Sequence, residues 1–456
     1  MGINNLQNYL SDTFKYCTNQ TSIAPLVIFR IIFGLMMFLG TLRFWCNGWI
    51  DALYVKPTHF FYYYGFEWVK PLSELGMYMV FLLLLITSLG IALGLFYRFA
   101  SLLFFLLFTY VELIDITNYL NHYYFISLIA FLLCILPAHR SFSIDTSRNP
   151  SIQLQTIPKI YILILKFQIG VVYFFAGIAK INYDWLFQAM PMSIWLQAKA
   201  HWPLIGNLFT KKWVAYSASW MACVFDLFVV FCLLSKRFRA PAYFVLVVFH
   251  VITGIMFPIG MFPWIMILAT LLFFPPEFHQ KIINLIQSKL KPKKVPQIII
   301  NSLFLHGNKK KVLLSFFLLY ASFQILFPFR YLCYPEKLFW TEQGYRFSWR
   351  VMLMEKAGSA TFFVKDSSTG KRGEVDNSQF LTPTQEKMMA TQPDLILQYA
   401  HILKEEVESR GLINPIINAE VYVTLNGSKS KLFIDPAINL AELKDGWQPK
   451  NWIQDF

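Results

Sequence analysis

Apolar residues in this chain gather into long runs separated by short polar breaks, the pattern of helices apolar on every side rather than along one stripe. Runs at about residues 24–42, 75–96, 99–115, 119–136 and 160–179 are followed by others at about 214–234, 240–256, 260–276 and 312–330. Because a span needs about 20 mostly apolar residues, the pattern predicts a polytopic α-helical membrane protein with about nine spans over residues 1–330. The runs 99–115 and 260–276 are short enough to be tilted, broken or partly re-entrant.

Beyond residue 331 the pattern changes. Residues 360–376 read as a hairpin turning at Asp366–Gly370, and residues 419–434 alternate around Asn426-Gly427, a strong two-residue hairpin signal. Between them, Thr384–Arg410 has helical spacing closed by Gly411. Residues 331–456 are therefore expected to form a C-terminal extramembrane α+β domain with a small core of its own.

The composition argues against a soluble cytosolic enzyme: 56% of residues are hydrophobic and 14% charged, against roughly 45–50% and 25% in soluble domains. Aromatic residues reach 18%, so cavities will have walls suited to flat apolar ligands. The net charge of +14 invites a nucleic-acid reading, but its placement opposes one. Residues 1–330 carry 26 Lys/Arg against 10 Asp/Glu, whereas residues 331–456 carry 14 against 16. Basic clusters between apolar runs mark membrane topology, so the expected partner is the lipid bilayer and no nucleic acid. With the N-terminus inside, 16 Lys/Arg fall on the cytoplasmic side and 7 on the other. Nine spans then place the C-terminal domain outside, in the periplasm of a bacterium or the lumen of the endoplasmic reticulum. Residues 288–311, with Lys289, Lys291, Lys293, Lys294 and Lys309–Lys311, read as a cytoplasmic loop touching anionic headgroups. The first 22 residues are polar, without a basic start followed by a short apolar core, so no cleaved signal peptide is expected. The six cysteines form no CxxC or CxxH pair, so neither a metal site nor a disulfide framework is expected.

Ionisable groups within spans are functional candidates because of what they cost in hydrocarbon. Lys180, in YFFAGIAKINYDW (Tyr173–Trp185), is either an interfacial anchor with an outward ammonium or a dehydrated amine able to act as a base. Asp115, Asn118 or Tyr119, and His122 fall on one helical stripe, either a solvated turn or a place where Asn and His together can hold and polarise a carbonyl or phenol oxygen. His250, in FHVITGIMFPIGMF (Phe249–Phe262), is either a hydrogen-bonded packing residue or a ligand. Asp226 needs a partner such as Lys166 or Arg30, and all three are expected to pair structurally. A phosphate-binding Gly loop, HExxH and GxSxG are all missing from the sequence.

At these motifs the chain resembles the vitamin K-dependent gamma-glutamyl carboxylase family, along almost its full length. FRIIFGLMMFLG (Phe29–Gly40), NHYYF, YFFAGIAKINYDW, the FH…IGMF segment, QGYRFSW (Gln343–Trp349) and FIDPAIN (Phe433–Asn439) recur in the family's order. The resemblance implies an integral membrane peptidyl-glutamate carboxylase that oxygenates vitamin K hydroquinone to the epoxide. This is coupled to carboxylation of glutamate in a polypeptide substrate, using O2 and CO2 or bicarbonate and no metal. The family's catalytic lysine falls on Lys180 and its quinone-binding Asn-His pair on Asn121 and His122. The histidine of its later span falls on His250, and the Tyr and Trp of its glutamate-binding motif fall on Tyr345 and Trp349.

The chain departs from the family in several places. Ala179 precedes Lys180 where a lysine pair is common, RFSWRV replaces a GYSWDM-like motif, and Ala437 stands where animal relatives carry arginine. No cysteines match the disulfide that ties membrane to soluble domain in those relatives, and the chain ends soon after FIDPAIN. Two alternatives therefore stand beside carboxylation: hydroquinone epoxidation without it, and a transporter or redox carrier that keeps the fold alone.

Overall fold

A computed structural model of the chain describes residue 12 and residues 14–290 and 301–456. Lys291, Lys293 and Lys294 of the basic stretch, and most of the polar N-terminal segment, lie outside the described residues. The protein is a polytopic α-helical membrane protein with a C-terminal α+β region. Among the described residues, seven helices are long and apolar enough to cross a membrane, or eight if a bent pair counts as one span. They include α1 (Ala24–Cys46), α2 (Glu74–Leu93), α3 (Tyr97–Ile114), α5 (Ile160–Ala179), α6 (Lys212–Leu234) and α7 (Arg239–Met256), with α10 (Gly307–Leu326) the last of them. On α7 the large apolar side chains Phe244, Val245, Val248, Ile252 and Ile255 are exposed, as a lipid-facing helix requires.

The expected count of nine is thus too high, for two physical reasons. The run at 119–136 forms only α4 (Asn121–Ile135), 15 residues long, or about 22 Å at 1.5 Å per residue. Its polar lead-in, Asp115 to Leu120, leaves the helix. Even so, the Arg98 guanidinium at the start of α3 donates to the Cys134 carbonyl near the end of α4, so the two run antiparallel from a shared level. The run at 260–276 breaks into α8 (Phe262–Ala269), a 3-10 turn and α9 (Pro276–Leu290), with a bend of 111°. Pro275 and Pro276 supply no amide hydrogen at the break.

In the C-terminal region, β3 (Lys356–Lys365) pairs antiparallel with β5 (Ile416–Leu425), from Lys356↔Leu425 to Lys365↔Ile416. The edges are β4 (Arg372–Glu374) and β6 (Lys431–Leu432), giving the order β4-β3-β5-β6 among the described residues. A shorter ribbon joins β1 (Gln20–Ser22) to β2 (Thr156–Pro158). On β5 alternate residues Ile417, Ala419, Val421, Val423 and Leu425 are buried, the period-two face of a sheet covered on one side. They share a core with Leu395, Ile396, Tyr399, Ala400 and Leu403.

One expectation here needs correction, and the other holds with a change of register beyond its turn. Residues 384–410 are not one helix but α11 (Pro383–Met389) and α12 (Pro393–Ser409), because Pro393 cannot continue the first. At Asn426-Gly427 both residues have positive φ, 50° and 76°, and Ser428 N donates to Leu425 O, as a two-residue turn demands. The ladder resumes at Tyr422↔Leu432, one residue out of step with that turn, so the strand is bulged.

Packing does not divide at residue 330. One apolar cluster joins Ala179, Trp185, Leu186 and Cys223 of the membrane region to Trp340, Phe362, Val421 and Phe433. Polar contacts fasten the same seam: Gln398 Oε1 accepts from Tyr62 N at 3.0 Å and its Nε2 donates to Tyr62 O at 3.1 Å. Asn426 Nδ2 donates to Asp184 Oδ2 at 2.8 Å.

Candidate functional site

The Lys180–Asp226 pair begins with glycine. A Cβ at Gly177 would lie 2.8 Å from the backbone N of Leu227, so only a glycine lets α5 and α6 approach this closely. Lys180 follows the last turn of α5, and its ammonium points inward rather than out to the interface. Its Nζ donates to Asp226 Oδ2 at 2.8 Å and to Ala176 O at 3.2 Å, and lies 5.4 Å from the Trp185 ring centroid. The expected partners of Asp226 are therefore corrected. Arg30 instead donates to the carbonyls of Ala138 and Phe142, and Lys166 lies over Phe273.

Asn121 and His122 occupy the first turn of α4. The stripe expected from Asp115 to His122 does not form on one helix, because Asp115 leaves helical geometry and caps the turn after it. Its Oδ1 accepts from Thr117 N and Oγ1, and its Oδ2 accepts from Gln385 Nε2 at 2.9 Å. Asn121 Oδ1 accepts from Tyr119 Oη at 3.1 Å, and its Nδ2 donates to Arg350 O at 3.0 Å. Tyr119 Oη in turn accepts from Phe347 N at 2.8 Å. This chain of bonds draws the segment Tyr345–Met352 over the membrane helices.

Beneath that segment lies a cavity of about 560 Å³. Its walls include Asn121, His122, Glu112, Arg43, Phe44 and Met352. The size suits a drug-sized ligand, and an aromatic, largely apolar wall with a few amide and imidazole groups suits a fused aromatic ring bearing oxygens. Trp349 is fully buried, stacks 4.9 Å from the Tyr124 ring, and its Nε1 has no partner among the described residues. Phe347, Trp349 and Met352 all have positive φ between 50° and 59°, a conformation that bulky side chains rarely hold. Tyr345 is partly buried with its ring 6.3 Å from Phe339, and burial pushes its hydroxyl above the ordinary range.

His250 stands apart, its Nε2 2.7 Å from Tyr173 Oη. Phe262 links the two histidines, with ring centroids 5.8 Å from His122 and 6.2 Å from His250. Asn121 and His122 thus share a cavity, Trp349 packs against the same helix, and neither Lys180 nor His250 lines that cavity. Lys180 instead sits at the seam with the C-terminal region, one residue beyond Ala179 of the shared cluster.

Glu112 is a cavity residue absent from the candidates drawn from sequence. It lies inside the run 99–115, so the cost of an ionisable group in a span was signal enough to find it. Among the described residues no group of three His, Cys, Asp or Glu side chains is arranged to hold a metal ion.

Residues 18–278 match the family described as the HTTM domain. Residues 309–456 match the one described as vitamin K-dependent gamma-carboxylase, lumenal domain. No solved structure matches the chain.

Proposed function

The chain belongs to the vitamin K-dependent gamma-carboxylase family, and on that premise we propose that it oxygenates vitamin K hydroquinone and couples this to γ-carboxylation of polypeptide glutamate. The observation that carries the reading is the aromatic cavity bearing Asn121 and His122, closed by the segment that holds Tyr345 and Trp349. When bound, the hydroquinone and O2 supply a base strong enough to take a γ-proton, and CO2 then adds to that carbon; no side chain is basic enough to do this near neutral pH.

The protein's part is to bind, orient and exclude water. Asn121, with one amide hydrogen bonded to Arg350 O, keeps a second for a ring oxygen. The His122 imidazole lines the cavity and makes no hydrogen bond to the described residues, which leaves it to the ligand. Lys180, which lies outside this cavity, is assigned the proton of the quinol hydroxyl: with its own proton passed to the Asp226 carboxylate it is a neutral amine, and the ammonium it becomes is held beside Asp226. Tyr345 and Trp349, on the segment that closes the cavity, are assigned to the glutamate side chain. The aromatic walls keep water from a carbanion. In this reading the C-terminal region faces the lumen or periplasm, where secreted polypeptides pass.

Co-expression with a Glu-rich secreted polypeptide, followed by mass spectrometry, tests the proposal. The expected result is addition of one CO2 per modified Glu, dependent on reduced vitamin K. Epoxide formation with no such adduct on any substrate would reduce the activity to epoxidation alone.

A further inference from the structure

Glu112 is the one carboxyl among the residues that line the cavity, and the reading above gives it no task. Its Oε2 accepts from Ser127 Oγ at 2.5 Å, which fixes the carboxyl between α3 and α4. Its Oε1 is buried and has no partner among the described residues. Such an oxygen costs free energy unless something supplies a hydrogen bond, and more when the group is charged. Arg43, the cation on the same wall, rests 4.9 Å from the Trp49 ring and forms no ion pair with Glu112. Asn118 and Asn121 line the same cavity and make no hydrogen bond to this carboxyl. Glu112 lines the cavity, so a turn of its carboxyl toward that space would let a ligand bring the missing partner to Oε1.

We propose that Glu112 reads the redox state of the cavity's ligand: Oε1 accepts a hydrogen bond from a ring hydroxyl, so the site favours an aromatic diol over the corresponding quinone or epoxide. The inference rests on the proposed quinol chemistry, and assigns within it a residue that determines specificity. A diol carries two hydroxyl hydrogens, and the quinone and epoxide carry none. Once the ring has been oxidised, Oε1 is again without a donor, which favours release of product over its retention. Asn121 and His122, which can donate, do not distinguish the two states in this way, because ring oxygens accept in both.

The test is equilibrium binding to the full chain in lipid nanodiscs without O2, read by quenching of tryptophan fluorescence, since Trp49 lines the cavity. Three probes are compared: a short-tailed naphthoquinol, the matching naphthoquinone and the dimethyl ether of the quinol. Wild-type protein is expected to bind the quinol about tenfold more tightly than either other probe. Glu112→Gln, whose amide donates as well as accepts, is expected to bring the quinol and quinone within about threefold. Equal affinity of wild type for the quinol and its ether, or an undiminished preference in Glu112→Gln, would overturn the inference and leave the proposed function standing. Failure of wild type to bind any of the three would overturn both. The wild-type comparison stands whether or not the variant folds.

Discussion

Lys180 Nζ donates to Asp226 Oδ2 at 2.8 Å, and both side chains are more than nine-tenths buried. Removing one partner leaves the other charge buried alone, at a cost of about 3–5 kcal/mol. Lys180→Met and Asp226→Leu are each expected to destabilise the protein by about that amount, and the double variant by less than either. Thermal unfolding of the purified chain in detergent measures the cycle. Additive losses would show that the two groups do not act as a pair.

Gly177 positions this pair through its backbone, its carbonyl accepting from Lys180 N at 3.0 Å, without contact to either charged group. Gly177→Val is expected to push α5 from α6, because its Cβ would meet the Leu227 backbone at 2.8 Å. Epoxide formation should fall at least about tenfold with Lys180 and Asp226 both in place, since a misplacement of about 1 Å can cost more than that. The kcat should fall more than KM rises, as befits a residue that aligns rather than binds.

The pH dependence of stability has a contribution in the C-terminal region. Burial alone would raise the Asp394 carboxyl, but the Arg346 guanidinium, 2.5 Å away, more than offsets this and holds it below the ordinary range. A carboxyl whose native value lies below its unfolded value of about 3.9 contributes fully above that pH, and the contribution is lost as pH falls through the native value. Asp394→Asn should therefore be less stable than wild type by a constant amount from about pH 8 to pH 5, converging with it in stronger acid. Thermal unfolding across that range provides the check.

The seam between membrane helices and C-terminal region depends on Gln398, which both accepts from and donates to the Tyr62 backbone. Gln398→Ala orphans a half-buried amide and carbonyl, at a cost of about 1 kcal/mol. Amide hydrogen exchange at Tyr62 and its neighbours should accelerate, while exchange in the centre of β5 stays unchanged.

Much of this architecture was legible in sequence, because apolar runs report spans and alternation reports half-buried strands. Ile417, Ala419, Val421 and Val423 announce their face by period alone. The failures were at polar residues inside otherwise regular stretches. Asp115 looked like one point on a helical stripe, whereas its carboxylate caps a turn and bonds Gln385, 270 residues away in sequence. Asp226 was recognisable as a buried acid, but its partner depends on how closely α5 and α6 pack at Gly177, a tertiary fact that spacing does not encode. Lys180 illustrates the same limit: the side chain at a helix end can face water or core, and only its neighbours decide. Within the cavity, the neighbouring Asn121 and His122 could be read from the chain itself, whereas the tie of Asn121 to Arg350 could not.

The central claim is that Lys180 is the base, and epoxide formation from reduced vitamin K and O2 by purified protein tests it most directly. Wild type is compared with Lys180→Ala and with Lys180→Arg, which keeps a cation beside Asp226 but offers no neutral amine. The account predicts epoxide from wild type and none from either variant, with Lys180→Arg still folded. Undiminished epoxide formation by folded Lys180→Arg, or none from folded wild type, would contradict it.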